Sequence, residues 1–312
     1  MLSRQLDANI LLALIFVNCA SLAQADHWVY LPEEANGEEL WPGQCQNGQK
    51  QSPIDLAKDA SVIGRYSPLV FKNYDKLLKN ATIRNTVQID IPKDQELLIT
   101  GGGLPGTYMM DQMHFHWKSE HTIDKERFGL ELHIVSHAQQ YENFTVAVQN
   151  KKGVAVLGVL FVVAGDINPV LRNILDSAES VKDAAGESNN IKMPFSPMEL
   201  LPTKRTAYFR YEGSLTTPSC NEAVIWTVFE SSVPFASEQI ERFQQVKDVD
   251  GVLLRNNFRQ LQRLNSRPLI YVRDDGDHFN ELYSGSYQLR MPIILVVAII
   301  MLQILRFTFE LL

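Results

Sequence analysis

The sequence predicts a mainly β (α+β) fold with few helices, on three observations. Apolar and polar residues alternate with period two in "ATIRNTVQIDI", "ELLIT", "HFHWKSE", "LELHIVSH" and "TAYFRYEGSLTT", the pattern of strands that turn one face to a core. The run "GVAVLGVLFVVAG" (Gly153 to Gly165) is nearly all apolar and rich in valine, so it reads as a strand buried on both faces. Helical periodicity is confined to short stretches. "NPVLRNILDSAESV" puts Val170, Leu171, Ile174 and Leu175 on one helical face, and "SEQIERFQQVK" reads as a serine cap followed by a short amphipathic run. Gly and Pro separate the strands, as in "GGGLPG" (Gly101 to Gly106).

The ends of the chain read differently. Arg4, the apolar run "ILLALIFV" and the small residues "CASLAQA" follow one another in the order of a secretory signal peptide. Ala23-Gln24-Ala25 places cleavage after residue 25, with cleavage after Ala23 as the alternative. At the other end, residues 291–312 form a hydrophobic tail that starts "MPIILVVAIIMLQIL". That apolar stretch is shorter than the roughly 20 residues of a comfortable membrane span. "SGS" (Ser284 to Ser286) and a short polar spacer stand before it. This is the pattern of a GPI-type lipid-anchor signal, with Ser284 as the anchor candidate within a linker at 276–290. A short single-pass helix is the alternative, and both readings tether the domain to a membrane with its bulk outside the cell. Residues 26–275, about 250 in number, remain as a single domain.

Cysteines and charge agree with that compartment. Of three cysteines, Cys19 leaves with the leader. Cys45 and Cys220 are an even pair in a secreted chain, so a disulfide is expected. "NAT" at Asn80 and "NFT" at Asn143 are glycosylation sequons. The formal net charge is −7 and no basic patch is present, which argues against a nucleic-acid partner.

The chemistry centres on "DQMHFHWKSEHT", Asp111 to Thr122. In a strand, His114 and His116 share one face while Met113, Phe115 and Trp117 share the other. The next strand, "LELHIV", carries His133 on the face of Glu131 and Val135. Three neutral imidazoles leave a fourth tetrahedral position of Zn2+ open, an arrangement of catalytic rather than structural sites. Water in such a position ionises near pH 7. Gln112 and Glu131 each stand two residues before a histidine on the same face, placed to fix ring tautomers.

"QMHFHWKSEHTIDKERFGLELHIV", together with "WPGQCQNGQKQSPIDL", "EGSLTTPSCNEAVIW" and "NNFRQLQRLNSRPL", resembles the alpha-class carbonic anhydrases over almost the whole mature chain. The resemblance implies a central twisted, mostly antiparallel sheet with a few short peripheral helices. It implies one zinc per chain, held by His114, His116 and His133, and reversible hydration of CO2 to bicarbonate and a proton. Thr216 would accept a hydrogen bond from the hydroxide on the metal, and Glu120 would accept the Thr216 hydroxyl proton, so fixing its direction. Thr217 would line the mouth. Val135, Val156, Leu215, Val224 and Trp226 would form the apolar substrate pocket. Cys45 and Cys220 fall at the paired cysteines of the family's secreted and membrane-bound members; with the C-terminal tail, the expectation is the anchored (GPI-type) subgroup at the extracellular face of the plasma membrane.

One departure stands out. Fast members carry a proton-relaying histidine where this chain reads "IRNTVQI", with Asn85 at the matching place; asparagine does not titrate near pH 7. The proton shuttle is left unassigned, with His27 near the N-terminus as a candidate substitute; His121 reads as a structural hydrogen-bonder, and His137 and His278 have no assigned role. The main alternative function is an extracellular non-catalytic binding module of the same fold. Such modules lack one or more of the histidines that this chain keeps. A zinc hydrolase acting on esters is a second alternative, although the His-Glu-x-x-His helix of metalloproteases is absent from these motifs.

Overall fold

The computed structural model describes Tyr30 and residues 41–84, 86–181, 188–247, 253–255 and 257–273. The expected leader, linker and tail, with Asn85, His27, His278 and Ser284, lie outside the described residues. Among the described residues no helix is long and apolar enough to cross a membrane.

The strands run in chain order as β1 (Asp55–Leu56), β2 (Val62–Ile63), β3 (Leu69–Lys72), β4 (Thr82–Arg84), β5 (Gln88–Asp90), β6 (Leu98–Gly101), β7 (Tyr108–Trp117) and β8 (Thr122–Ile123). They continue as β9 (Glu126–Arg127), β10 (Leu130–Ala138), β11 (Val154–Val163), β12 (Ser188–Asn190), β13 (Tyr208–Gly213), β14 (Val224–Phe229), β15 (Val233–Phe235) and β16 (Ile270–Val272). The main sheet has the order β12-β4-β5-β7-β10-β11-β14-β13-β16-β2, with β6 and β15 joined at β7 and β11 and β3 joined at β6. Its pairings are mostly antiparallel; β11 with β14, β11 with β15 and β16 with β2 are parallel. The helices are short and peripheral: α1 (Gln44–Asn47), α2 (Phe144–Ala147), α3 (Pro169–Ala178) and α4 (Ser237–Phe243). This is the mainly β architecture that the alternation predicts.

Alternation divides the sheet into two cores. Met113, Phe115 and Trp117 of β7 enter the larger one with Leu157 and Phe161 of β11 and Ile225 and Phe229 of β14. Val135, Val156, Val224, Trp226 and Val228 enter the other. The valine-rich β11 is buried on both faces from Val154 to Phe161, but Val162 and Val163 are exposed. There the strand has outrun β10 and β14 and pairs only with the three-residue β15. The face of α3 closes over the larger core through Val170, Leu171, Ile174 and Leu175, and Asn168 caps it by accepting from the amides of Val170 and Leu171. The cap of α4 differs from the expected serine: Ala236 holds the N-cap and Ser237 is the first helical residue. Buried Gln239 takes over the work, accepting from the Ala236 and Asn168 amides and donating to the Asn168 carbonyl. One side chain thus satisfies the starts of two helices.

Cys45, in α1, is bonded to Cys220. The bridge closes a separation of 175 residues and secures the loop after β13, because the Cys220 amide donates to the Thr217 carbonyl at 2.8 Å. Replacing both cysteines with serine should lower unfolding stability by about 2–4 kcal/mol, chiefly by freeing the unfolded chain. Urea denaturation measures this, and an unchanged midpoint would contradict it.

Candidate metal centre

β7 and β10 pair antiparallel with His133 opposite His114 and Glu131 opposite His116. Met113, Phe115 and Trp117 anchor the other face of β7 at 1 % exposure or less, which leaves the two histidines no freedom to rotate out of the opposite face. The rings of His114 and His116 stand 5.0 Å apart between centroids, those of His114 and His133 5.1 Å, and those of His116 and His133 4.5 Å. One nitrogen from each lies within 4.8 Å of the others.

The remaining nitrogen of each ring is tied to an oxygen. Nδ1 of His114 lies 2.9 Å from Gln112 Oε1. Nδ1 of His116 lies 2.6 Å from the Asn257 carbonyl. Nε2 of His133 lies 2.9 Å from Glu131 Oε1. Each of these oxygens can only accept, so each ring nitrogen there carries the proton. The lone pairs left over are Nε2 of His114, Nε2 of His116 and Nδ1 of His133. His116 Nε2 is buried and has no hydrogen-bond partner.

Asn257 was not singled out from the sequence. Besides its carbonyl, its side chain accepts from the Trp117 amide and donates to the Phe115 carbonyl, both at 2.8 Å. It therefore clamps β7 on both sides of His116. The signal was the block "NNFRQLQRLNSRPL", quoted for its resemblance without a role for this residue.

A second cluster, His121, Glu131 and His133, also gathers donor atoms, but they are spent on one another. Glu131 accepts from His121 Nδ1 at 2.7 Å and from the His121 amide at 2.8 Å, besides His133. His121 Nε2 meets the Tyr211 hydroxyl at 2.6 Å, and that oxygen lies 2.9 Å from Ser52 Oγ. Burial raises the Glu131 pKa, but the two histidines and their hydrogen bonds outweigh it and leave the carboxyl well below its usual range. Glu131 is therefore an anion that orients two rings.

Glu120 is fully buried, with Oε1 accepting from the Arg259 amide at 2.8 Å. Its Oε2 lies 3.6 Å from His116 Nε2 and 3.8 Å from His133 Nδ1, without a hydrogen bond of its own. Burial pushes this carboxyl well above its usual range, while Thr216 and the Arg259 amide pull it back. Arg259, also unassigned from sequence, is 1 % exposed and donates to Gln51 Oε1 and to the carbonyls of Ser52 and Cys45. It joins the N-terminal "QSPID" stretch and α1 to the strand pair under Glu120.

Among the residues expected around the substrate, Val135 pairs with Val156 and Val156 with Trp226 on three adjacent strands. These three and Val224 belong to one buried cluster with Leu215 packed against it. The Trp226 ring lies 4.8 Å from that of His133, and its Nε1 donates to the Ser214 carbonyl at 3.0 Å. Thr216 is 5 % exposed and Thr217 half-buried. Asn80 is exposed. Asn143 caps α2, its side-chain oxygen accepting from the Val146 amide.

Burial holds all three histidines below their usual range, with repulsion from neighbouring histidines adding to it: His114 well below, His116 at about 3, and His133 lowered by burial and His121 against the upward pull of Glu131. They are neutral at pH 7 and suited to a cation. Below about pH 6.5, the ordinary histidine value, the unfolded chain binds protons that the folded chain refuses. The resulting stability is fully present above that pH and is lost as pH falls toward the folded values. Thermal unfolding of metal-free protein should therefore show a midpoint that drops from about pH 7 to about pH 5, less steeply for His116→Gln. A midpoint that rises toward acid would contradict the assignment.

Residues 33–273 match the eukaryotic-type carbonic anhydrase family. The chain is 33 % identical to "Putative carbonic anhydrase 5" of Caenorhabditis elegans over 281 residues, covering 86 % of this chain and 89 % of that one. It is 31 % identical to "Carbonic anhydrase 4" of Rattus norvegicus, covering 85 % and 90 %. It is 33 % identical to "Carbonic anhydrase 12" of Homo sapiens, covering 78 % and 72 %. With the sheet, the histidine cluster and this similarity agreeing along most of its length, the chain belongs to the eukaryotic-type carbonic anhydrase family.

Proposed function

We propose that this protein catalyses the reversible hydration of CO2 to bicarbonate and a proton, with one zinc ion held by His114, His116 and His133. The observation that carries the reading is the convergence of three imidazole lone pairs within 4.8 Å, each oriented by a bond at the ring's other nitrogen. His116 Nε2, a buried ring nitrogen with no hydrogen-bond partner, fits a cation. Zinc in such a site is a Lewis acid that brings the ionisation of water to near neutral pH.

The chain's own residues do the rest. Gln112, Glu131 and the Asn257 carbonyl hold the tautomers. With Glu120 ionised, the Thr216 hydroxyl would donate a hydrogen bond to it, leaving the Thr216 oxygen to accept from the attacking oxygen and aim it at the substrate carbon. The Arg259 amide holds the other Glu120 oxygen. Val135, Val156, Leu215, Val224 and Trp226 offer an apolar wall to a substrate that has no charge, and Thr217 borders its entrance. The same residues favour an enzyme over a binding module: a module needs neither the oriented lone pairs nor a carboxyl buried beside them.

We place the protein in the secretory pathway, processed near residue 25 and held at the outer face of the cell membrane through residues 276–312. The Cys45–Cys220 bond supports the compartment, since disulfides persist in oxidising surroundings. Asn80 and Asn143 are the proposed glycan sites.

His116→Ala should lose bound metal and CO2 hydration together, with activity reduced to background. Metal analysis alongside a stopped-flow hydration assay measures both, and wild-type metal content in that variant would refute the ligand assignment. With Asn85 where a relay histidine would stand, proton export should limit turnover, so kcat should climb with imidazole buffer concentration. Rapid turnover that ignores buffer would show that another group carries the proton.

A further inference from the structure

A second polar group is buried on the side of the sheet away from the three histidines. Arg210 alternates along β13 with Phe209 and Tyr211, which pack beside Trp226, so its side chain enters the opposite, larger core. It is 4 % exposed, and none of its three guanidinium nitrogens has a hydrogen-bond partner. Across the ladder on β14 stands Thr227, paired with Arg210 in register and fully buried. Its hydroxyl has no partner either. The carboxylate on the same strand, Glu212, is held by Lys50 and Lys152 at 2.9 Å each. Tyr208 offers a ring 5.7 Å from the guanidinium carbon, and Tyr66 and Tyr108 are its other electrostatic neighbours. The hydroxyl protons of Tyr108 and Tyr208 already go to the carbonyls of Lys152 and Gly102.

An unpaired guanidinium is among the most costly groups to bury. A tyrosine ring offsets only part of that cost. The guanidinium presents a planar fork of N–H donors that suits an anion, and the facing threonine adds an O–H. With one positive charge and no carboxylate paired to it, the complementary ligand carries one negative charge. The burial of Arg210 and Thr227 between paired strands, with the Tyr208 ring beside the guanidinium, restricts it to a few atoms.

We propose that Arg210 and Thr227 form a second binding site, for a small monoanion, on the face of the sheet opposite the metal centre. Chloride and bicarbonate share the required chemistry. The site stands on its own geometry and holds whether or not the chain hydrates CO2.

The test is thermal unfolding of the zinc-loaded protein in increasing chloride or bicarbonate at constant ionic strength, compared with Arg210→Met and Thr227→Val. The wild-type midpoint should rise and saturate. Arg210→Met should show no such rise while its CO2 hydration without added anion stays unchanged, and Thr227→Val should need more anion to saturate. The anion that saturates at the lower concentration identifies the natural occupant. If Arg210→Met does not fold, bromide-soaked wild-type crystals should give an anomalous peak within hydrogen-bonding reach of the guanidinium. Equal salt responses in wild type and Arg210→Met, or crystals with only water beside Arg210, would overturn the proposal.

Discussion

Three hydrogen bonds at the back of three imidazoles decide what the centre of this protein can do. A neutral imidazole has one N–H and one lone pair, so fixing the first aims the second. Gln112, the Asn257 carbonyl and Glu131 fix the N–H of His114, His116 and His133 respectively. The two strand neighbours present Nε2 because Gln112 and the Asn257 carbonyl bond them at Nδ1, whereas His133 presents Nδ1 because Glu131 bonds it at Nε2. Without these locks each ring could flip, and three lone pairs would rarely meet.

The locks depend in turn on a frame assembled from distant parts of the chain. The segment carrying Asn257 and Arg259 runs against β7 and the turn after it, where Asn257 bonds the strand on both sides of His116 and the Arg259 amide holds Glu120. The Arg259 guanidinium reaches Gln51, Ser52 and Cys45. Cys45 is bonded to Cys220, at the end of the loop that bears Leu215, Thr216 and Thr217. Four stretches that are far apart in sequence therefore meet behind one cluster. Each buried polar atom among them would cost about 1–3 kcal/mol if left unpaired, which makes the frame stiff.

The strands were legible because alternation is a direct imprint of a two-faced sheet: Phe115 between His114 and His116 says where both faces lie. Gln112 and Glu131 were legible for the same reason, since a same-face neighbour two residues away needs no tertiary knowledge. The partner of His116 was not, because it is a main-chain carbonyl 141 positions away and a carbonyl has no residue type to read. Arg259 resembled an ordinary surface arginine within a polar stretch until the fold closed over it. The exposure of Val162 and Val163 depends on how far neighbouring strands extend, and the α4 cap depends on Gln239 serving two helices; neither is a local property. Arg210 sits on the polar side of a plain alternating strand, so its burial was not legible from that strand alone.

The account is tested most directly by anomalous diffraction at the zinc absorption edge from crystals of the mature protein. It predicts a single strong peak within bonding distance of Nε2 of His114, Nε2 of His116 and Nδ1 of His133, with no protein atom at the fourth position. A peak bounded by His121 and Glu131, a protein side chain filling the fourth position, or no peak in zinc-supplied crystals would contradict it.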